Sequence, residues 1–556
     1  MALALAACGA PAADGGAAHG TTTTPTLVPA HGGTVTVALD QVPTTLNDHT
    51  VAGDTAAGRM IASAVWAQVF RVGPGATPQL DTNVVDSAEV VNLDPQTVVY
   101  QIDPRATWSD GVPIDADDFV YAWQSERGGA LDTTGAPDSV ATTLGYRDIA
   151  SVTGSNGGKT VTVVFHTPFG DWASLFDDLL PAHVAGQVGW NDGFDAFGPA
   201  VEVSGGPWQV ASFEPGVSIE LVRNPHWWGS PASLDEVVVR ALHGPALAAA
   251  LRDGAVQVAY PSGFGPTLLA QVASSPTLQS TSNLGATVLQ LEFNTRHAPL
   301  TTAAVRQAVA HDVDRAGLVT GVGEPENHLV WEDNDHLFAN VEPGYDDDAT
   351  GYEHPDPGAA AHLLDAAGLA QDATGTWSDH GAPVTLSLAW ADDDPWSAAA
   401  GPVLAAQLVD AGFDVASEPT SSAQLLGTVL PSGDFDLAVV PVAASAYPSA
   451  MGTDFSSASS VTGGAPTQDW SGFDDAHVDQ LFGQAAQQLG KPQALAVYRT
   501  LDQALWSAMP TLPLFAEPTL LVWSASVSLV ADDPVGIGPL WDLRDWVTLT
   551  TATTAP

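Results

Sequence analysis

Residues 97–123 read TVVYQIDPRATWSDGVPIDADDFVYAW, which runs from a strand through an Asp110-Gly111 turn into a helix. The helix start carries Asp115, Asp117 and Asp118, and carboxylates there favour the positive end of the helix dipole. Phe119, Ala122 and Trp123 fall at helical spacing and form its buried face. Three acids so placed read first as a helix start and only second as a catalytic or metal cluster.

The same alternation of short strands and helices extends outward from this segment. GGTVTVALD (32–40) sets Val35, Val37 and Leu39 against Thr34, Thr36 and Ala38, the period of a strand. KTVTVVFHTP (159–168) and VSIELVRNP (217–225) are strands closed by Pro168 and Pro225. TTAAVRQAVAHDVDRAGLV (301–319) predicts one helix with Val305, Ala308, Val309 and Val313 on one face and Thr301 or Thr302 at its cap. No short-period repeat occurs, which argues against a solenoid or propeller and leaves mixed α/β lobes.

The chain has 556 residues, 45% of them hydrophobic, enough for two or three lobes at roughly 100–200 residues each. Fifteen basic against 64 acidic side chains give a formal charge of −49, and Lys159 and Lys491 are the only lysines. Nucleic acid and anionic membrane surfaces are excluded as partners by repulsion. No run of 18 apolar residues is present to cross a membrane as a helix. The single cysteine, Cys8, can close no internal disulfide. Leu5-Ala6-Ala7-Cys8-Gly9 resembles a bacterial lipobox, whose cysteine takes a diacylglyceryl thioether. Residues 1–8 accordingly read as a signal-peptide remnant whose start lies upstream. Residues 9–32, rich in Gly, Ala, Thr and Pro, read as a flexible tether spanning roughly 25–30 Å.

Beyond local structure, the opening segment resembles a hallmark of the extracytoplasmic solute-binding proteins of ABC importers, in the large peptide/dipeptide/nickel-binding branch (family 5). Trp108-Ser109-Asp110-Gly111-Val112-Pro113-Ile114-Asp115-Ala116-Asp117-Asp118-Phe119-Val120-Tyr121 follows that family's DG-x-P-x-T-A-x-D-V-x-(F/Y) pattern. Four further blocks follow in the family's order: GGPWQVASFEPGVSIELVRNPHWWG (205–229), LEFNTRHAPLTTAAVRQAVAHDVDRAGLV (291–319), HPDPGAAAHLLDAAGL (354–369) and VYRTLDQALWSAMPTLPLF (497–515). Trp208 stands where the family usually has Tyr.

The resemblance implies a periplasmic-binding-protein-like fold: two α/β lobes joined by a hinge and closing on a solute, plus an extra subdomain. It implies lobe I at 33–66, 200–285 and 510–550, the subdomain at 67–199, and lobe II at 290–505. It also places the cleft candidates at Asp40, Gln41, Trp66, Trp390, Asp392, Trp396, Ser445, Tyr447, Phe515 and Glu517. Peptide-binding members carry an aspartate that pairs with the ligand ammonium, after F-D-x-x-x-x-x-W. Here Phe435-Asp436 is kept, but Val442 and Ser445 occupy the Trp and Asp positions, so that anchor is missing. Asp454 is a possible substitute from the following loop.

No G-x-S-x-G elbow or H-E-x-x-H pair is present, and a thiol nucleophile is excluded because the one cysteine lies in the tether. DDDATGYEHPDP (346–357) resembles a calcium loop at Asp346, Asp348 and Gly351, but Pro357 takes the position that needs a bidentate Glu. The expectation is therefore a monomeric, non-enzymatic receptor without cofactor or metal, lipid-anchored at Cys8 on the outer face of the cell membrane. It would capture a peptide or other small polar solute for an ABC permease complex. The alternative comes from actinobacterial lipoproteins of the LpqW type, which DWASLFDDLLPAHV (171–184), LRDGAVQVAYPSG (251–263) and VSLVADDPVGIGPLWDLRDW (527–546) resemble. It is a regulator of phosphatidylinositol mannoside and lipoarabinomannan synthesis.

Overall fold

The computed structural model describes residues 27–551 apart from 74, 132–134, 136, 265, 323–329, 458–467, 534 and 536. Cys8 and the 1–8 segment lie outside the described residues. The tether expected over 9–32 gives way to a strand before its end: Leu27–Ala30 pairs antiparallel with Val547–Thr551, so backbone bonds to the other end of the chain fix it.

One mixed sheet of eleven strands frames the molecule. In chain order the strands are β1 (Thr34–Leu39), β2 (Trp208–Glu214), β3 (Ser218–Arg223), β4 (Glu236–Ala241), β5 (Val258–Tyr260), β6 (Leu278–Phe293), β7 (Trp331–Glu332), β8 (Thr385–Ala391), β9 (Asp414–Thr420), β10 (Leu437–Ala443) and β11 (Thr511–Ser524). Across the sheet they run β9-β8-β10-β6-β11-β5-β1-β4-β3-β2, with β7 beside β11. In lobe I, β1 is parallel to β4 and β5; in lobe II, β8 is parallel to β9 and β10. The antiparallel pair β6 and β11, 16 and 14 residues long, belongs to both lobes. β11 reaches β5 through Val258 opposite Trp523, and β6 reaches β10 through Leu291 opposite Val439. Their register slips between Leu284 and Val288 and again between Leu289 and Gln290, and such bulges bend a strand pair where it crosses from lobe to lobe.

The alternation in β1 has the expected result. Val35 and Val37 are fully buried in the lobe I core beneath α1 (Ala56–Val65), while Ala38 faces a second core on the other side of the sheet. The inserted subdomain is a four-stranded antiparallel sheet formed by Val85–Leu93, Gln96–Ile102, Thr160–Phe165 and Ile149–Ser155, covered by α2 (Ala116–Glu126).

The opening motif explains that covering. Asp115 caps α2 by accepting from the Asp117 N–H at 2.9 Å, and Asp118 accepts the Asp115 N–H at 3.0 Å to complete a capping box. The buried Asp118 carboxylate also takes the Trp108 indole N–H at 3.2 Å and the Ala182 N–H at 3.0 Å, so one side chain ties the turn, the helix and a distant loop. Burial pushes its pKa up to about 6, against those three hydrogen bonds. Lys159 is half-buried, and its ammonium donates to the carbonyls of Ala106 and Ile114 at 2.8 and 2.7 Å.

The single helix expected over 301–319 is two: α3 (Ala303–Asp312) and α4 (Arg315–Val322). Val313 is extended, and the Asp314 carboxylate accepts the Gly317 N–H at 2.9 Å, starting a new helix where the apolar spacing suggested continuation. Lobe II is completed by α5 (Pro395–Asp410), α6 (Ala476–Ala486) and α7 (Lys491–Ala508).

Candidate functional site

Parallel strands present their carboxyl ends together, and a crevice outside those ends is where open α/β sheets hold ligands. In this chain the carboxyl ends of β1 and β5 point from lobe I toward the bend in β6 and β11, and those of β8 and β10 point at the same bend from lobe II. Asp40 and Gln41 follow β1, Asp392 follows β8, Ser445 follows β10, and Phe515 and Glu517 lie on β11 at the bend. The sheet divides the gap between the lobes into two sides.

On one side, the Asp40 carboxylate accepts from the Ser262 N–H and, at 2.5 Å, from its hydroxyl. The next residues, Gly263 and Phe264, meet the start of α5: a Cβ on Gly263 would stand 2.6 Å from the Pro395 ring, and Phe264 packs edge-on to Trp396 at 5.7 Å. Trp396 in turn lies 6.4 Å from the fully buried Phe515 ring. Glu517 is buried at their margin with Oε1 unpartnered among the described residues. Burial, and then the charge of Asp394, hold its pKa well above the usual carboxylate range. Gln41 and Asp392 are exposed.

On the other side, the subdomain loop at 170–178 reaches lobe II. The Tyr447 hydroxyl donates to the Ala173 carbonyl at 2.9 Å, the Ser449 N–H to Asp171 Oδ2 at 3.0 Å, and the Gly170 N–H to the Ala486 carbonyl at 2.6 Å. Ser445 Oγ accepts the Tyr447 N–H at 3.2 Å and so shapes that loop. Small side chains fill the centre: Ala76, Ala286, Val288, Ala339 and Val535 form one cluster, and the Ala444 N–H donates to the Ala286 carbonyl at 2.8 Å. Beside it is a shallow recess lined by Val288, Gln290, His336, Val442, Ala444 and Met451 among others.

Two of the sequence candidates stand apart. Trp66 is buried in the lobe I core, where its indole donates to the Leu46 carbonyl at 2.9 Å and it meets Phe194 edge-on. Trp390 is buried in lobe II, pressed against Gly401 so closely that a Cβ there would sit 2.3 Å from its ring. Both are packing residues in this conformation, because the flat area that suits a ligand also suits a core. Asp454 lies near a second carboxylate: burial, then the charge of Asp469, raise its pKa to about 8.

Sequence reading passed over Asp177 and Trp331. Asp177 lies between two non-glycine residues in the left-handed region, Phe176 (φ 64°) and Asp178 (φ 46°), and such strain concentrates at ligand clamps. Burial, then the Asp178 charge, raise the Asp177 pKa well above normal, and Asp177 together with Asp171 adds to the effect of burial in raising that of Tyr447 across the gap. Trp331 pairs with Ala516 at the bend and is 57% exposed. An exposed indole at a hinge is a natural stacking platform.

The family model described as bacterial extracellular solute-binding proteins, family 5, matches residues 79–463. A Mycobacterium tuberculosis protein described as a probable monoacyl phosphatidylinositol tetramannoside-binding protein, LpqW, is 29% identical over 68% of this chain, which spans 63% of that relative's length. The oligopeptide-binding protein OppA of the same organism is 26% identical over 92% of this chain and 85% of its own. Among solved structures, the periplasmic EDTA-binding protein EppA superposes with a TM-score of 0.85 at 27% identity, covering 96% of this chain and 99% of that one.

Proposed function

Since this chain belongs to family 5 of the bacterial extracellular solute-binding proteins, a family of receptors and not of enzymes, we propose that it captures an oligopeptide-like solute between its lobes and delivers it to an ABC permease complex. The observation that carries this reading is the convergence of both lobes' strand ends on the bulged β6 and β11 pair, with Asp40, Gln41, Asp392, Ser445, Tyr447 and Glu517 around it. Trp396 and Phe515 form the wall behind them, and Trp331 offers a face to a side chain. A solute touching both lobes stabilises the closed state by its differential contacts.

Asp177 takes the place of the missing ammonium anchor, from the opposite lobe. A ligand cation beside it would favour the ionised form of a carboxyl whose pKa burial raises. The acidic surroundings disfavour a polyanion such as EDTA, which EppA is named for binding.

We place the protein on the outer face of the cell membrane, held by a lipid on Cys8; Cys8→Ala in the complete precursor should then move it from the membrane to the soluble fraction. The decisive experiment is calorimetry of the purified chain against short and long peptides with free and acetylated N-termini. A tight ligand at a hundred times its Kd stabilises by about 2.7 kcal/mol and raises the melting temperature.

A second reading follows from the LpqW likeness and from Val442 and Ser445 at the anchor positions. It is a regulator of phosphatidylinositol mannoside and lipoarabinomannan synthesis. If no peptide binds, and deletion alters envelope glycolipids while peptide uptake is intact, this second reading replaces the first.

A further inference from the structure

His49, on the lobe I loop between β1 and α1, sets both of its ring nitrogens against oxygens. Nε2 lies 3.0 Å from the Asp178 carbonyl, and Nδ1 lies 3.2 Å from Oε2 of Glu126, the last residue of α2. Asp48 Oδ1 is a further 3.9 Å neighbour of Nε2. A carbonyl and an ionised carboxylate only accept hydrogen bonds, so a neutral imidazole, with its one N–H, would turn a lone pair toward one of them. The doubly protonated ring donates to both.

The charges around the ring favour that state. Burial by itself would lower the His49 pKa, but the charges of Glu126 and Asp48 and the bonds to Glu126 and the Asp178 carbonyl outweigh it and hold it well above the ordinary histidine value. Asp54 acts on Asp48 from the same loop, and Asp177 and Asp178 add carboxyls from the subdomain loop at 170–178. Tyr146 is kept neutral by burial, and the segment carrying Asp138 bonds His49 through the Ala141 N–H, which donates to its carbonyl at 2.8 Å. Arg71 acts on Asp177.

What the ring grips is the strained part of the loop. Left-handed backbone at Phe176 and Asp178 persists only where the surroundings fix it. Three groups do so from behind: the Tyr146 hydroxyl accepts the Phe176 N–H at 2.8 Å, Gln68 Nε2 donates to Asp178 Oδ1 at 2.9 Å, and His49 holds the Asp178 carbonyl. Asp177 lies between, its charge felt by Tyr447 in front, while His49 and Arg71 favour its ionised form against burial and Asp178. Building on the reading of Asp177 as the solute's anchor, we propose that the doubly protonated His49 is the positioning residue of the solute gap. It pins the Asp178 carbonyl and so sets where Asp177 stands.

The test starts with the unaltered full chain carrying histidine labelled with nitrogen-15 in the ring. Long-range proton–nitrogen correlation should show one histidine, identified by its shift in Glu126→Gln, with both ring nitrogens protonated at about pH 8, above the ordinary histidine pKa. Glu126→Gln keeps an acceptor and removes the charge, so the same ring should lose its proton at a lower pH. His49→Gln should speed amide hydrogen exchange at Phe176 and Asp178 about tenfold, with Val163 in the subdomain sheet unchanged. In calorimetry the same variant should bind trialanine about tenfold more weakly and N-acetyltrialanine as the parent does. A His49 ring with one bare nitrogen at about pH 8 overturns the proposal, as does unchanged exchange at Phe176 in His49→Gln. Failure of trialanine to bind the unaltered chain would instead overturn the anchor reading, and the ring and exchange results would still decide the role of His49.

Discussion

The Tyr447 phenol, on the loop after β10 of lobe II, donates to the Ala173 carbonyl of the inserted subdomain across the gap, 2.9 Å away. With the Ser449 and Gly170 bonds it forms a short strip that holds the two bodies together. Tyr447→Phe removes one such bond and keeps the ring, at a cost of about 1 kcal/mol to the closed state. The open population should rise roughly fivefold, which small-angle scattering or a spin-label distance across the gap would read. An unchanged distance distribution would show that the strip does not govern closure.

Arg306 has no carboxylate partner among the described residues; it is 4% exposed and donates Nε to the Met509 carbonyl at 2.8 Å, Nη1 to that of Leu300 at 2.6 Å, and Nη2 to that of Ala508. It therefore caps the carboxyl end of α7. Burial lowers its pKa to about 10. Arg306→Met should destabilise by about 3 kcal/mol in urea unfolding, since three carbonyls lose their donor. Arg306→Lys should recover little of that, because a point ammonium cannot span the three acceptors.

Arg306 and Asp118 show where sequence suffices, and Tyr447 shows where it stops. Arg306 sits in the VRQA block and Asp118 in the opening motif, so a pattern marks both residues, although it does not name their distant partners Met509 and Ala182. The break at Val313 and Asp314 escaped because apolar spacing continues through it while one carboxylate decides the backbone. Tryptophan faces are worse: nothing in the chain's order distinguishes Trp390, pressed on Gly401, from Trp331, left exposed by a two-residue pairing with β11. The position of Asp177 depends on contacts such as Tyr447 to Ala173, 274 residues apart.

Burial raises the Asp333 carboxyl to about 7 and the Glu342 carboxyl to about 8, from ordinary values of 3.8 and 4.5. Groups whose folded pKa is raised bind more protons when folded. Their contribution is fully present below about pH 4 and is lost as pH rises through 7 to 8. Glu342→Gln keeps the acceptor for the Ala339 N–H and abolishes the titration. The variant should gain on the parent between pH 5 and pH 8, by on the order of 2 kcal/mol at the upper end. Parallel curves of melting temperature against pH for the two proteins would refute the assignment.

A charge of −49 on 556 residues sets carboxylates against one another over the whole surface. Salt shortens the Debye length from about 30 Å at 0.01 M to about 3 Å at 1 M and relieves that repulsion. The melting temperature should climb steadily with sodium chloride over this range. A flat titration would mean that the acidic side chains are spaced widely enough not to interact.

Gly285 lies where the register of β6 against β11 slips, and a Cβ built there would stand 2.2 Å from the Glu517 carbonyl oxygen. No side-chain rotation relieves a contact with backbone, so the two hinge strands must separate locally to admit even a methyl group. The strain falls on the segment whose bend sets how the lobes meet, whereas the cores on either side are untouched. Gly285→Ala should therefore shift the distance distribution across the gap and weaken solute binding, while costing about 1–3 kcal/mol in global stability. Thermal unfolding measured beside the interlobe distance separates the two effects: a stability loss with an unchanged distance would place the hinge elsewhere along β6 and β11.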